Sequence, residues 1–270
     1  MRGIHMRRTF LSIMAAGAVM ISPMAFADTM TVSAAASLTN AYTELGKAFE
    51  AKNPEHKVEF NFGASGSLLQ QILQGAPVDV FASADQATMD KAEAEGMIKK
   101  GTRADFIGNG LVLIVPINSD RSFSSLEELT ADDVEHIAMG NPDTTPNARY
   151  ARAAMQKEGV WDKIEPKLVL ASNVRQSLSY VSRGEVAAGF VFSTDAKQDE
   201  DKVKVALEIP TVAAGEKEGE WVSSPIVYPI AEAAQSKTTV SSDFIAYVLS
   251  EEGQSILAQY GFVPIKELKQ

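Results

Sequence analysis

Two serines lie at corresponding points of two similar segments, each where an apolar run changes to a helical pattern. Ser37 follows a run ending in three alanines, and Ser65 follows a run ending in Gly63-Ala64. The first turn of a helix has backbone N–H groups without intrahelical partners and carries the positive end of the helix dipole. Small neighbours let a ligand approach that backbone closely. Two such turns facing one point predict an anion site that needs no lysine or arginine.

Two further helix starts are candidates for the same chemistry. Asn147 follows Pro146 in a polar turn, and Val174 follows Asn173, a residue type that often caps helices. Four helix N-termini around one cleft would each contribute about 0.3–1 kcal/mol toward a negative charge at an exposed site. Taken singly, each position also fits an ordinary helix start, with the serines acting only as N-caps.

Ser65 also lies in a segment similar to the nucleophile elbow of serine hydrolases. The segment reads Gly-Ala-Ser-Gly-Ser over 63–67, with serine where that pattern has its last glycine. A serine nucleophile needs a base, and the histidines after residue 27 are His56 and His136, both in strongly polar surroundings. No histidine pair has the spacing of metal ligands. We therefore expect a binding protein without catalytic residues or a cofactor, and a serine hydrolase remains the alternative of a different class.

The N-terminus has the three parts of an export signal: early arginines, an apolar stretch over 10–21 and small residues up to Ala27. We expect cleavage after Ala27 and a periplasmic location, by the general or the twin-arginine route. With no cysteine in the chain, disulfides and thiol chemistry are excluded. Residues 1–27 hold three arginines and no acidic residue, so the exported chain has a net charge of −13 where the whole chain has −10. Such a charge disfavours nucleic acid as a partner.

Strand and helix patterns alternate along the chain, which predicts an α/β architecture. We expect two lobes, with residues 28–108 and 224–270 in lobe 1 and residues 109–223 in lobe 2. The chain would cross between them at Gly108-Asn109 and near 222–225. A cleft between two lobes joined by two strands suits a ligand and hinge closure.

Three finer predictions concern the second half of the chain. The sequence predicts a helix over 125–129 and, from its glycines and glutamates, an exposed loop over 211–220. One closing helix is predicted over 242–260, ending at Gly261.

Short motifs spread over the whole chain after residue 27 resemble, in order, the periplasmic molybdate-binding proteins of ABC transporters. The resemblance implies a type II periplasmic-binding-protein fold with mixed sheets and a monomeric receptor. It implies molybdate or tungstate as the ligand, held by uncharged hydrogen-bond donors, and a membrane permease with a cytoplasmic ATPase as the partner. The motifs are Ala34–Ala41, Gly75–Gln86, Gly108-Asn109, Gly140-Asn141-Pro142, Trp161-Asp162, Pro166-Lys167-Leu168, Asn173-Val174-Arg175, Ser193–Ala196 and Tyr260-Gly261-Phe262.

The same resemblance implies which residues bind the oxyanion. They are Ser37 and Ser65 through hydroxyl and backbone N–H, Asn147 and Val174 through backbone N–H, and Phe192. Well-known members have a tyrosine at the position of Phe192, and phenylalanine cannot replace its hydroxyl donor. The side-chain amide of Asn147 is a candidate replacement; the alternative is that Asn147 only caps its helix.

The missing hydroxyl leaves one other function open: a receptor for another tetrahedral oxyanion, such as sulfate, chromate or phosphate. Selectivity between such ions is expected to come mainly from cavity size. Because carboxylates near the ligand would repel it, we expect the acidic residues to lie on the outer surface.

Overall fold

The computed structural model describes residues 28–215, 217 and 219–268, so the predicted signal peptide lies outside the described residues. Two mixed sheets organise this part of the chain, as predicted. We call the six-stranded sheet with its helices lobe 1, and the five-stranded sheet with its helices lobe 2. In spatial order, lobe 1 contains Val263–Pro264 (β13), Ala104–Asn109 (β4), Ile226–Glu232 (β12), Val80–Ala82 (β3), Asp28–Ala35 (β1) and His56–Gly63 (β2). Lobe 2 contains Leu168–Ala171 (β7), Ile137–Gly140 (β6), Ala188–Phe192 (β8), Leu111–Pro116 (β5) and Val203–Ile209 (β9).

Helices connect most of the strands, and a small hairpin formed by Val212–Ala214 (β10) and Trp221–Ser223 (β11) stands apart from both sheets. Short 3₁₀ turns occur at Ala36–Leu38, Leu126–Thr130 and Glu165–Lys167. The first three helices are Thr39–Lys52 (α1), Ser65–Leu73 (α2) and Gln86–Ala94 (α3). Four helices follow in the middle of the chain: Pro146–Lys157 (α4), Trp161–Ile164 (α5), Val174–Ser182 (α6) and Ser193–Gln198 (α7). The last three are Val240–Leu249 (α8), Glu251–Gln259 (α9) and Ile265–Leu268 (α10).

The core of lobe 1 follows from the spacing of its apolar residues. β1 pairs in parallel with β2 and β3, and its apolar residues are buried. The α1 helix buries Tyr42, Leu45 and Phe49 on one face. The Tyr42 ring packs edge-on against Phe244, with ring centroids 6.1 Å apart. This packing fixes the start of α1, and therefore Ser37, against the end of β1.

Two antiparallel strands of lobe 1, β4 and β12, lie next to the two chain segments, or passages, that connect the lobes. β12 pairs with both β3 and β4, and Asn109 at the end of β4 pairs with Ile226 at the start of β12. The chain enters β5 of lobe 2 two residues after Asn109 and returns through the β10–β11 hairpin. The ends of β4 and β12 therefore lie side by side, where both passages begin.

The three finer predictions differ from the structure. The closing helix is broken into α8 and α9 at Ser250, whose hydroxyl oxygen accepts from Gly253 N–H and so begins a new helix. The expected loop over 211–220 contains one strand of the hairpin, β10, and the expected helix over 125–129 is the 3₁₀ turn Leu126–Thr130. Short strands and single 3₁₀ turns leave too few residues for a hydrophobic period to identify them.

Two kinds of feature are absent from the described residues. None of their helices combines the length and apolarity that crossing a membrane requires. Nor do they contain a group of three or more histidine, aspartate or glutamate side chains placed to hold a metal ion.

Candidate oxyanion site

All five residues predicted to contact the ligand line one small cavity between the lobes. Lobe 1 contributes Ser37 and Ser65, and lobe 2 contributes Asn147, Val174 and Phe192. The cavity is tight, with space for little more than one water molecule between the lining residues. The remaining lining residues are small, apolar or uncharged: Ala35, Ala36, Gly63, Ala64, Ala84, Thr145 and Pro146.

Both serine hydroxyls take part in hydrogen bonds within the protein. The backbone N–H of Ala84 donates to Ser65 Oγ at 3.0 Å. Ser37 Oγ lies 2.9 Å from the hydroxyl of Tyr228. Both serine side chains are buried, and neither caps its helix; the N-cap positions are Ala35 and Ala64. The interpretation of the two serines as simple N-caps is therefore wrong.

The helix starts of lobe 2 face the same cavity. Val174 is the first residue of α6, and the Asn173 side chain accepts from the N–H groups of Arg175 and Gln176. That cap leaves the N–H of Val174 without a partner among the described residues. Asn147 is the second residue of α4, so its N–H also lacks an intrahelical acceptor.

The side chain of Asn147 does not cap α4, whose N-cap is Thr145 and has no side-chain bond. Its Nδ2 donates to the Phe190 carbonyl at 3.0 Å, and its Oδ1 is buried without a hydrogen-bond partner. The prediction that this amide replaces the missing hydroxyl stays a prediction. An Asn147→Ala variant that binds the ligand as tightly as wild type would contradict it.

Phe192 contributes an apolar wall to the cavity. Its ring centroid lies 5.7 Å from that of Tyr228, and its backbone N–H donates to Asp195 Oδ2 at 3.3 Å. Phe192 therefore offers neither a hydroxyl nor a free amide to a ligand.

A family model for bacterial extracellular solute-binding proteins matches residues 30–263, nearly the whole of the described chain. The chain belongs to this family. The fold and the cleft agree with it, because two α/β lobes joined by two passages place a small ligand between them.

The solute-binding protein is also similar to several proteins that are named for molybdate binding. It is 34% identical to the molybdate-binding protein ModA of Escherichia coli, over 95% of this chain and 99% of that protein. It is 33% identical to the ModA of Haemophilus influenzae, over 86% and 89% of the two chains. The solved periplasmic molybdate-binding protein of Azotobacter vinelandii has the same type II periplasmic-binding-protein fold, with a TM-score of 0.71 and 22% identity over 87% of this chain and 98% of that one.

Two arginines of the solute-binding protein reach from lobe 2 to lobe 1 beside the cavity. Arg149 donates from Nε and a terminal nitrogen to Asp85 Oδ2, at 2.9 and 2.6 Å, and also to the Thr88 hydroxyl. Arg175 donates to Asn40 Oδ1 at 2.9 Å and to the Ser37 carbonyl at 3.2 Å. Each arginine follows a helix start that lines the cavity, so these contacts hold those starts against lobe 1.

Both arginine charges are balanced by buried carboxylates. Asp85 forms an ion pair with Arg149. Asp195 Oδ1 lies 2.6 Å from Arg175 Nε, close enough for an ion pair, but the angle at the N–H does not make it a hydrogen bond. Burial raises the pKa of the Asp195 carboxyl above its usual range, while the charge of Arg175 opposes the shift. The expectation that acidic residues lie on the outer surface is wrong for these two, although no carboxylate lines the cavity.

The sequence did not predict that several further residues belong to the surroundings of the cavity. They are Asn109, Arg149, Arg175, Thr194 and Tyr228. Arg175 stands next to Val174 in the sequence, so its position was an available signal. Tyr228 is 191 residues from Ser37, and no local pattern indicates that contact.

Proposed function

We propose that this solute-binding protein captures molybdate, and also tungstate, in the periplasm as a monomer and delivers it to an ABC-transporter permease. The observation that carries the proposal is the state of the two serine oxygens. Because Ser65 Oγ accepts from the Ala84 N–H, its hydroxyl proton is left for the cavity, and Ser37 Oγ shares a hydrogen bond with the Tyr228 hydroxyl behind it. With the N–H groups of Asn147 and Val174 at two helix starts of lobe 2, the cavity offers uncharged donors from both lobes.

Such a donor set suits an oxyanion that carries two negative charges and no proton. A hydrogen bond to a charged group contributes about 1.5–3 kcal/mol, and exclusion of water between closed lobes strengthens each one. Positive helix ends supply the favourable potential, so the negative net charge of the protein does not prevent anion binding. The names of the relatives in Escherichia coli and Haemophilus influenzae support molybdate as the ion.

A serine hydrolase has less support. A nucleophile at Ser65 needs a base within hydrogen-bond reach, and the cavity lining contains neither histidine nor a carboxylate. The Ser65 hydroxyl oxygen accepts from the Ala84 amide rather than facing a base.

One observation favours a second candidate, a receptor for a protonated oxyanion such as hydrogenphosphate. Asn147 lines the cavity, and its Oδ1 is a buried acceptor without a partner. A ligand O–H could satisfy that acceptor, whereas molybdate has no proton to donate.

The proposal is tested by thermal unfolding of the ligand-stripped, exported form with and without molybdate or tungstate. A ligand that binds only the native state stabilises it by about 2.7 kcal/mol at one hundred times its Kd, so Tm should rise with concentration. An unchanged Tm at millimolar molybdate and tungstate would contradict the proposal.

A further inference from the structure

A tyrosine outside the cavity lining lies directly behind one of the two serines. Tyr228 is on β12, its side chain is fully buried, and its ring packs against Phe192 and Phe262. Its hydroxyl lies 2.9 Å from Ser37 Oγ and 3.2 Å from Asn109 Nδ2. Ser37, Tyr228 and Asn109 therefore form a continuous chain of polar groups that ends in the cavity.

The direction of the first bond in this chain follows from the orientation of the Asn109 amide. The N–H of Gly110 donates to Asn109 Oδ1 at 2.9 Å, which places the oxygen on that side. Asn109 Nδ2 therefore faces the other way, and it donates to the hydroxyl oxygens of both Thr194 and Tyr228.

The direction of the second bond follows from burial. The phenol oxygen accepts from Asn109, and Ser37 Oγ is the one acceptor within reach of the phenol proton among the described residues. A buried O–H rarely stays unpaired, so Tyr228 donates to Ser37. Burial raises the pKa of the phenol well above its usual value, which keeps that proton in place.

We propose that Tyr228 is a positioning residue that makes the Ser37 hydroxyl an obligate donor to the ligand. Since Ser37 Oγ accepts from Tyr228, its own proton is directed away from that bond and toward the cavity. The inference rests on the proposed function, because it concerns the same site. It adds a cause for selectivity: the bond from Tyr228 occupies one of the two lone pairs of Ser37 Oγ and turns the hydroxyl proton toward the ligand, which favours an anion oxygen over a ligand O–H.

The test removes only the phenol oxygen. In a Tyr228→Phe variant, Asn109 keeps its bond to Thr194, while Ser37 loses its donor and its hydroxyl can turn. We expect molybdate to bind about tenfold more weakly, and the affinity for phosphate relative to molybdate to rise. Titration calorimetry of the exported form at neutral pH, with molybdate, tungstate, sulfate and phosphate as separate ligands, measures both changes.

Tyr42→Phe is the matched control. Tyr42 is also a fully buried tyrosine of lobe 1, but its hydroxyl has no hydrogen-bond partner among the described residues, and it does not line the cavity. Its loss should leave the affinity for every anion within about twofold of wild type. Equal losses in Tyr42→Phe and Tyr228→Phe would overturn the inference, because they would indicate a general effect of core changes.

A double-mutant cycle separates positioning from structure. If Tyr228 acts through Ser37, then adding Tyr228→Phe to a Ser37→Ala background should not weaken binding further. A full additional loss in that background would overturn the inference. If wild type binds an anion of the panel and Tyr228→Phe binds it with the same affinity, the inference is overturned and the proposed function still stands. If wild type binds none of the four anions, both are overturned.

Discussion

At the scale of single residues, the two serines reach the same state by different routes. Ser65 Oγ accepts from a backbone amide of its own lobe, whereas Ser37 Oγ accepts from a tyrosine hydroxyl. In both cases the oxygen is occupied inside the protein, so the proton remains for the cavity. The sequence predicted the two serines and their small neighbours, because both features are local. It could not predict the partners, since Ala84 and Tyr228 are brought to them by strand pairing.

A Ser65→Ala variant tests this arrangement at the serine whose partner is a backbone amide. Ser65→Ala removes a donor to the ligand and leaves the buried Ala84 N–H without its acceptor. We expect the affinity for molybdate to fall at least tenfold and the free energy of unfolding to fall by about 1–3 kcal/mol. Titration calorimetry and urea unfolding measure the two effects separately.

Ser177→Ala is the control for that experiment. Ser177 is a buried serine of α6 whose hydroxyl has no hydrogen-bond partner, and it does not line the cavity. Its removal should change neither affinity nor stability appreciably. Ser65→Ala binding molybdate as tightly as Ser177→Ala would contradict the assignment of Ser65 as a ligand donor.

At the scale of elements, the site depends on helices that start at a common point and on the contacts between them. The sequence predicted the start of α6, because Asn173 is a strong capping residue. It did not predict the break at Ser250 between α8 and α9, because the apolar pattern continues across it. Nor did it predict the approach of α2 to lobe 2, which depends on how the two lobes meet.

That approach makes a specific prediction for Gly66, the second residue of α2. Its N–H donates to the Thr144 carbonyl of lobe 2 at 2.9 Å, and a Cβ added there would lie 2.7 Å from the same oxygen. The obstacle is backbone, so Gly66→Ala should hinder closure of the lobes and weaken molybdate binding about tenfold or more. Stability without ligand should not fall, because alanine favours a helix over glycine.

Ser67→Ala, one position further along α2, adds no bulk at the contact and should bind molybdate like wild type. Calorimetry on both variants, with urea unfolding of each, tests the prediction. Unchanged affinity in Gly66→Ala would show that the close approach to Thr144 is not needed for binding.

At the scale of the whole molecule, contacts among the described residues bridge the two lobes. They include the Gly66–Thr144 bond, the Arg149 contacts to Asp85 and Thr88, the Arg175 contacts to Ser37 and Asn40, and the bond from Asn109 to Thr194. The α/β class and the cleft followed from alternating patterns along the chain. The arginine contacts did not, because a surface arginine and a bridging arginine look alike in a sequence.

The molecule as a whole is acidic, with a formal net charge of −10 over the full chain, yet the ligand proposed for its cavity is an anion. The two facts agree because the cavity uses amide and hydroxyl dipoles within a few ångströms of the ligand, whereas the surface charges are screened over about 8–10 Å at ordinary salt. Net charge therefore says little about which ion the cavity takes.

The central claim is that the cavity takes a fully deprotonated tetrahedral oxyanion, with molybdate and tungstate as its ligands. The most direct measurement is titration calorimetry of the ligand-stripped exported form with molybdate, tungstate, sulfate and phosphate at the same pH and salt. The account predicts tight binding of molybdate and tungstate, and no measurable heat from phosphate or sulfate under the same conditions. Tighter binding of phosphate than of molybdate would contradict it and would indicate that the free acceptor of Asn147 sets the specificity.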